Sequence, residues 1–443
     1  MPERRVVIKT FGCKVNQCES SFMLESLLRH GYRLAKPGED ADVCIVHGCA
    51  VTSRASYESR QALYQFRKHC PNATAYVFAG CAAHYEGHLL AERHLVTHVL
   101  GNAEKLRLTE FLESPATTEK PFVAVCDLRS CAPEVLKPLY YERMFDERSR
   151  AFIKIQDGCD AFCSYCVVPY TRGICRSLAP EEVAEQIRSL VVAGYKEVVL
   201  TGIHLGQWGR DLSPPKNILD LLSFLNEKGV APPKIRLSSL EPTECSPELV
   251  GFLASQDWFC HHFHVPLQSG DPEVLKLMRR PYDPDFYADV IHLIRATFPN
   301  SAIGADVIVG FPGERDEMFE KTYRLIESLP ITYLHVFPYS PRSGTPAANL
   351  KGIISGNEIR RRASMLRELG RKKKEIFMIS QLHKELSVIL ESPLQKNVWR
   401  ATSDNYLSVL VFSDGRELRK GDLARVKIIG VDHGRFMLVG RLI

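Results

Sequence analysis

The segment Gly158-Cys-Asp-Ala-Phe-Cys-Ser-Tyr-Cys constrains this chain more than any other. It sets Cys159, Cys163 and Cys166 in a C-x3-C-x2-C run directly after an apolar, strand-like stretch, residues 152–156. Three thiolates at that spacing can converge on one centre and hold three irons of a cubane cluster. No fourth cysteine completes the run, because Cys175 lies beyond Pro169 and Gly173. One iron is therefore left open to an outside ligand. Whatever the chain folds into must present this loop at a strand end with free space beside it.

The surrounding pattern supplies such a frame. From residue 152 onward, strand-like runs fall at 152–156, 197–201, 234–238, 262–266, 302–309 and 333–337. Helical periodicity fills the intervals at 180–193, 218–227, 247–254, 272–279, 285–298 and 316–328. An unbroken series of strand-then-helix units implies a parallel sheet with right-handed crossovers. Six units favour a curled, incomplete (β/α)6 barrel, with the chemistry at the C-terminal ends of the strands. The phrases that follow those ends carry Gly, Pro or short polar residues, as in Thr201-Gly-Ile-His-Leu-Gly and Ser238-Ser-Leu-Glu-Pro. A ligand can approach the backbone closely at such positions.

The N-terminal third repeats one motif. Strand-like runs at 5–10, 41–46 and 75–78 are each followed by Gly-Cys, placing Cys13, Cys49 and Cys81 just beyond three strand ends. In an open parallel α/β sheet those ends share an edge where ligands bind. The three thiols are thus expected to converge as a second three-cysteine site, against the alternative of three unrelated half-buried cysteines. Cys44, Cys126, Cys245 and Cys260 sit in apolar or unpatterned surroundings and read as inert buried thiols; Cys126 and Cys131, with no third partner nearby, read as structural. No signal-peptide-like apolar region follows Met1, so a cytosolic setting is expected, where fourteen cysteines point to metal or redox chemistry rather than disulfides.

Interruptions by Pro, Thr and charged residues mark a linker before the barrel. After it, residues 356–383 form one long charged helix or a helix pair, a solvated connector or an RNA contact. Short strand signals separated by Gly and Asp turns close the chain, suggesting a small, partly open β-barrel. From Lys351 to the end, 19 Lys and Arg face 10 Asp and Glu, while the remainder holds 38 against 42. A nucleic-acid partner would meet that basic end first, since phosphate neutralisation dominates such affinities. Trp399, Arg400, Tyr406, Arg419 and Lys420 are the candidates for RNA contact, with barrel core as the alternative for Trp399 and Tyr406. No uncharged apolar run reaches the roughly 18 residues of a membrane span, so a cytoplasmic protein with no membrane partner is expected.

With these residues in view, the chain resembles the radical S-adenosylmethionine (SAM) methylthiotransferases over essentially its whole length. Cys159–Cys166 resembles the radical SAM signature. Thr10-Phe-Gly-Cys-Lys-Val-Asn, Gly48-Cys-Ala-Val-Thr and Ala79-Gly-Cys-Ala-Ala resemble the family's N-terminal domain. Val265-Pro-Leu-Gln-Ser-Gly and Val336-Phe-Pro-Tyr-Ser-Pro-Arg-Ser-Gly-Thr resemble its central domain, and the ending resembles its TRAM domain. One departure is His47-Gly48 before Cys49, where the family usually has Asn-Thr.

The resemblance implies an α/β protein with an N-terminal methylthiotransferase domain over 1–115, a linker over 116–147, a radical SAM domain over 148–375 and a small OB-like TRAM barrel over 376–443. It also implies two [4Fe–4S] clusters, one on Cys159, Cys163 and Cys166 and an auxiliary one on Cys13, Cys49 and Cys81. SAM would act both as radical source and as methyl donor, oriented by Gly202, Ser238, Glu241, Gln268 and Asp306. Four phrases, including Cys49-Ala-Val-Thr-Ser-Arg-Ala and Arg236-Leu-Ser-Ser-Leu-Glu-Pro, look most like the branch acting on N6-threonylcarbamoyladenosine at position 37, in the anticodon loop of tRNA. Sister branches use isopentenyladenosine in tRNA or an aspartate of a ribosomal protein. An electron donor such as flavodoxin or ferredoxin and a sulfur source are the remaining implied partners. An iron–sulfur protein that binds RNA or senses redox state without catalysis is the alternative from another class.

Overall fold

The computed structural model describes residues 4–128, 136–141, 144, 148–413 and 415–443. Cys131 and parts of the expected linker lie outside the described residues.

The N-terminal sheet is six-stranded and parallel throughout. Its order is Tyr32–Leu34, Arg4–Thr10, Val43–Gly48, Ala75–Gly80, His98–Leu100, Phe122–Ala124. The central strands Val43–Gly48 and Ala75–Gly80 are buried at every position, because helices cover both faces. That explains why they read as unbroken apolar runs. The three strands that precede Cys13, Cys49 and Cys81 are immediate neighbours. Tyr32–Leu34 and His98–Leu100 escape sequence reading because they are three residues long. The helix Cys81–Glu92 escapes it because its ring of Ala and Gly carries little apolar asymmetry.

The central region contains the six strands expected, but in two parallel sheets. One joins Ala151–Lys154, Glu197–Thr201 and Lys234–Leu237; the other joins His262–His264, Ala302–Val309 and Tyr333–Pro338. A single bridge between Ile235 and Phe259 connects them, since His262–His264 is too short to pair along its neighbour. One core runs through both sheets, from Phe152 and Val199 to Phe263, Ile291 and Leu366. The charged segment is one helix, Gly356–Ile379, lying along the last strand. It keeps Arg362 buried on Glu314, 2.7 Å away.

The C-terminal barrel is closed rather than partly open. Its order is Glu385–Gln395, Val398–Ser403, Ser408–Phe412, Met437–Leu442, Leu423–Asp432, the last pairing back with the first. The strand missed by sequence reading, Val398–Ser403, holds Trp399 and Arg400 among polar residues that mask its alternation.

This barrel is fastened to the central sheets by its Ser403–Tyr406 turn. Arg236 donates to the carbonyls of Asp404 and Ser403 at 2.9 and 3.2 Å and to Glu197 at 2.7 Å. The Tyr406 ring stacks on His262 with centroids 4.2 Å apart. Glu197, His262 and Tyr333 begin their strands, so the turn seals the N-terminal end of the sheets, opposite the cysteine loop. No helix among the described residues is long and apolar enough to cross a membrane.

Candidate functional site: two three-cysteine centres

The loop begins where strand Gln156–Asp157 ends. Gly158 has φ +77°, and a Cβ there would fall on the Ile174 carbonyl, so only glycine permits the turn. The Cys159 N–H donates to Gly173 O at 3.0 Å and the Cys166 N–H to Cys163 O at 3.0 Å. Ser164 anchors the middle through its N–H to Met278 O and its hydroxyl to Leu277 O. Cys159 Sγ lies 3.3 Å from His204 Nδ1, and His204 Nε2 lies 2.6 Å from Glu244 Oε1. Arg280 donates to Cys163 Sγ at 3.1 Å and pairs with Glu241. Cys175 is occupied elsewhere, between Gln156 and the Gln207 carbonyl at 3.4 Å each.

Burial and the neighbouring thiols push Cys159 and Cys166 up to about 12. Thiols in that state are poor anions on their own and good ones around a cation, since metal binding compensates the crowded negative charge. The donor set and the closeness of the three thiols fit an iron–sulfur cluster.

The second centre uses different means. Cys13 is the N-cap of helix Lys14–Arg29 and Cys81 is the first residue of helix Cys81–Glu92. Two of its thiols therefore sit at helix N-termini. Burial, then Cys81, then Cys13 push Cys49 up to about 12, placing the three thiols within reach of one another. Gly12, at φ +96°, keeps their centre clear: a Cβ there would stand 2.8 Å from Cys49 Cβ and 3.0 Å from its Sγ. These residues also fit a cluster. The departure at His47 is structural. Its ring is fully buried between Ser20 Oγ at 2.8 Å and Lys105 Nζ at 3.2 Å, behind Gly80.

The two centres abut. Val167, next to Cys166, packs with Ala50, next to Cys49, and with Cys81 itself. Cys81 is also among the charges felt by Cys166.

The remaining expected residues are distributed around the strand ends. Gly202 lies against Gln156, whose Oε1 would be 2.7 Å from a Cβ there. Ser238 Oγ is buried and finds no hydrogen-bond partner among the described residues, as suits a group awaiting a ligand. Gln268 is held at φ +67° with its N–H on Asp306 O at 2.8 Å. Asp306 Oδ1 lies 3.0 Å from His264 and 3.1 Å from His335. Burial opposes its charge, but those two histidines hold its carboxyl well below the usual range.

At the far end, a cleft of about 450 Å³ separates the last central strand and helix Gly356–Ile379 from the small barrel. Arg400 and Tyr406 line it together with Arg150, Arg367, Arg371 and Lys374. Arg419 and Lys420 are exposed away from it, and Trp399 is half-buried against the small barrel's core. Sequence reading passed over His204, Glu244, Arg280 and Arg172. Each is a lone charged or polar residue in a loop or short helix, with no periodic signal to single it out.

Comparison with known proteins places the chain in a family. Residues 153–326 match the Radical SAM superfamily and residues 5–101 the Uncharacterized protein family UPF0004. The fold is shared with a radical SAM methyltransferase, TsrM from Kitasatospora setae, at a TM-score of 0.54 and 14% identity over 78% of this chain and 77% of that one. The molecule is a radical SAM enzyme, and that superfamily implies a [4Fe–4S] cluster and SAM. The chain is 34% identical to the threonylcarbamoyladenosine tRNA methylthiotransferase MtaB of Bacillus subtilis, over 96% of this chain and 93% of that protein. It is 36% identical to the protein of that name from Aquifex aeolicus, over 91% and 96%. It is also 30% identical to the tRNA-2-methylthio-N(6)-dimethylallyladenosine synthase of B. subtilis, over 96% and 83%. The chain belongs to the radical SAM methylthiotransferase family.

Proposed function

We propose that this enzyme adds a methylthio group to C2 of N6-threonylcarbamoyladenosine at position 37 of tRNA, using SAM both as radical source and as methyl donor. The observation that carries the reading is the contact of the two three-cysteine centres through Val167, Ala50 and Cys81. A reaction that both activates a carbon and delivers sulfur to it needs two centres around one substrate atom.

In this reading Cys159, Cys163 and Cys166 hold the cluster that binds SAM, and Cys13, Cys49 and Cys81 hold the auxiliary one. The bound cofactors supply the one-electron cleavage of SAM and the sulfur. The protein supplies placement. His204, braced by Glu244, fixes the side of the loop at Cys159, and Arg280 fixes it at Cys163. Gly202, Ser238, Glu241, Gln268 and Asp306 border the SAM site, with the Ser238 hydroxyl free to donate or accept.

The cleft between the central sheets and the small barrel suits an RNA strand: guanidinium and ammonium groups for phosphates, with Tyr333 and Tyr406 beside them. Domain limits at 115, 147 and 375, a flavodoxin- or ferredoxin-type donor, a separate sulfur source and a cytoplasmic setting complete the proposal.

Nucleoside analysis of tRNA from a strain lacking the protein tests it. Methylthiolated threonylcarbamoyladenosine should disappear while its unmodified precursor accumulates and ribosomal protein stays unchanged. An unaltered tRNA profile would sink the proposal. Loss of methylthiolated isopentenyladenosine instead would transfer the substrate to the sister branch.

A further inference from the structure

A cluster of charged side chains is buried where the N-terminal sheet meets the central one. Glu19, Lys105, Lys154, Asp157 and Arg172 have side chains no more than 6% exposed. Glu19 accepts from Lys105 at 2.6 Å, Lys154 at 2.9 Å and Arg172 at 3.0 Å. Asp157 accepts from Arg172 at 2.8 Å and Lys154 at 3.1 Å. Asn102 accepts from Lys105 at 2.6 Å, and Asn16 from Arg172 at 2.6 Å. Three basic side chains therefore face two carboxylates, although burial lowers Lys105. Of the groups next to them, His47 stands 3.6 Å from Glu19 with burial pushing its imidazole down, and Arg176, 3.8 Å from Asp157, is another cation.

An uncompensated buried charge costs several kcal/mol, so the surplus calls for an anion. The arrangement shows where that anion belongs. Arg172 uses Nη1 and Nη2 on Glu19, Asp157 and Asn16, and turns its remaining donor, Nε, onto Cys81 Sγ at 3.2 Å. Asn102 Nδ2 approaches the same sulfur at 3.5 Å. A neutral thiol would leave the surplus standing; an iron-bound thiolate would cancel it and accept a charge-assisted hydrogen bond.

The geometry points to Arg172 as a positioning residue for the auxiliary centre: it is supplied by the short helix after the radical SAM loop, and it completes the surroundings of Cys81 in the other domain. The inference rests on the reading of Cys13, Cys49 and Cys81 as cluster ligands and assigns a task to a residue outside that set. A donor to a ligand sulfur stabilises the more negatively charged, reduced cluster, so Arg172 raises the reduction potential of the auxiliary centre. Because the same guanidinium also holds Asp157, two residues before Cys159, the auxiliary centre is completed only when the radical SAM loop is folded against it.

The test uses the full chain with Cys159, Cys163 and Cys166 all replaced by Ala, so that only the auxiliary cluster reports. Reconstituted protein is titrated potentiometrically and followed by electron paramagnetic resonance. Arg172→Gln should keep roughly four irons per chain and move the midpoint to a more negative potential. Arg172→Lys, which keeps the charge and loses the directed Nε bond, should move it less. In the complementary background lacking Cys13, Cys49 and Cys81, Arg172→Gln should leave the potential of the loop cluster in place.

An unmoved auxiliary midpoint, or equal shifts in both backgrounds, would overturn the inference. Loss of auxiliary iron in Arg172→Gln with parental folding, and with loop iron kept in the complementary background, supports it in stronger form. Loss of the native unfolding transition in both Arg172 variants would reduce Arg172 to a structural residue. A triple-Ala parent that binds no iron at all would instead bring down the reading of the second centre, and the inference with it.

Discussion

The loop Gly158–Cys166 carries its thiols within one short stretch of chain, while Cys13, Cys49 and Cys81 arrive from three adjacent strands, far apart in sequence. Much of the loop's frame is made nearby, by Gly173 O to Cys159, Cys163 O to Cys166 and Gln156 to the Gly158 carbonyl at 2.9 Å, with Ser164 and Arg280 adding ties to the region around residues 277–280. The second centre has no such local frame. It exists only when strands Arg4–Thr10, Val43–Gly48 and Ala75–Gly80 are in register and two helices start correctly. A locally framed site tolerates loosening of the fold around it; a site assembled from strand ends does not.

The largest effect expected from this contrast is on chemistry. Cys163→Ala should abolish SAM cleavage and remove roughly half of about eight irons per chain, read by product chromatography and iron analysis. Cys13→Ala should abolish methylthio transfer while SAM cleavage stays within about twofold of the parent, as expected of sites sharing no ligand. Loss of cleavage in Cys13→Ala would break the division between the centres.

Gly12→Ala should follow. It forces an L-residue to φ +96° against Cys49, at a cost of roughly 1–3 kcal/mol, and should lower auxiliary iron while the loop keeps its own.

Acid should separate the centres more gently. Burial pushes His84, in the helix that begins at Cys81, down to about 4, as its Nε2 accepts the Asn102 N–H at 2.9 Å. The unfolded chain takes up that proton near pH 6.5, the folded chain only near 4. This contribution is therefore whole above pH 6.5 and lost as pH falls towards 4, by at most about 3 kcal/mol. Chemical denaturation between pH 7 and 4 should show the N-terminal sheet weakening first, and a His84→Gln chain should show a shallower pH dependence.

The smallest effect belongs to the cleft. Arg367→Ala should leave both iron sites untouched, weaken tRNA binding a few-fold and reduce the salt slope by about one, measured by filter binding across a salt series.

How much of this could be read in the sequence follows from the same contrast. The loop is legible because its ligands and its turn glycine are contiguous. The second centre is legible only through repetition, three strand-then-Gly-Cys phrases on strands that the sheet sets side by side. The split of the central strands into two sheets is not legible, since it depends on the first sheet meeting the chain at one bridge, Ile235 to Phe259, before the three-residue strand His262–His264 begins. Nor is the closure of the small barrel, because Val398–Ser403 hides among polar residues. Arg172, Lys105 and Glu19 stay hidden for another reason. A charged residue on a helix or in a loop reads as solvated, and only the packing of two domains removes it from water.

Tyr406 gives the molecule a fixed length. Its turn is wedged into the floor of the central sheets by His262 and Arg236, so the small barrel cannot swing on its connecting helix. If the barrel grips RNA as proposed, a module on such a mount would work as a ruler. The stretch between where the strand is held and where the two centres meet would be set by the protein alone, and a nucleotide would be chosen by its distance along the RNA as well as by its chemistry.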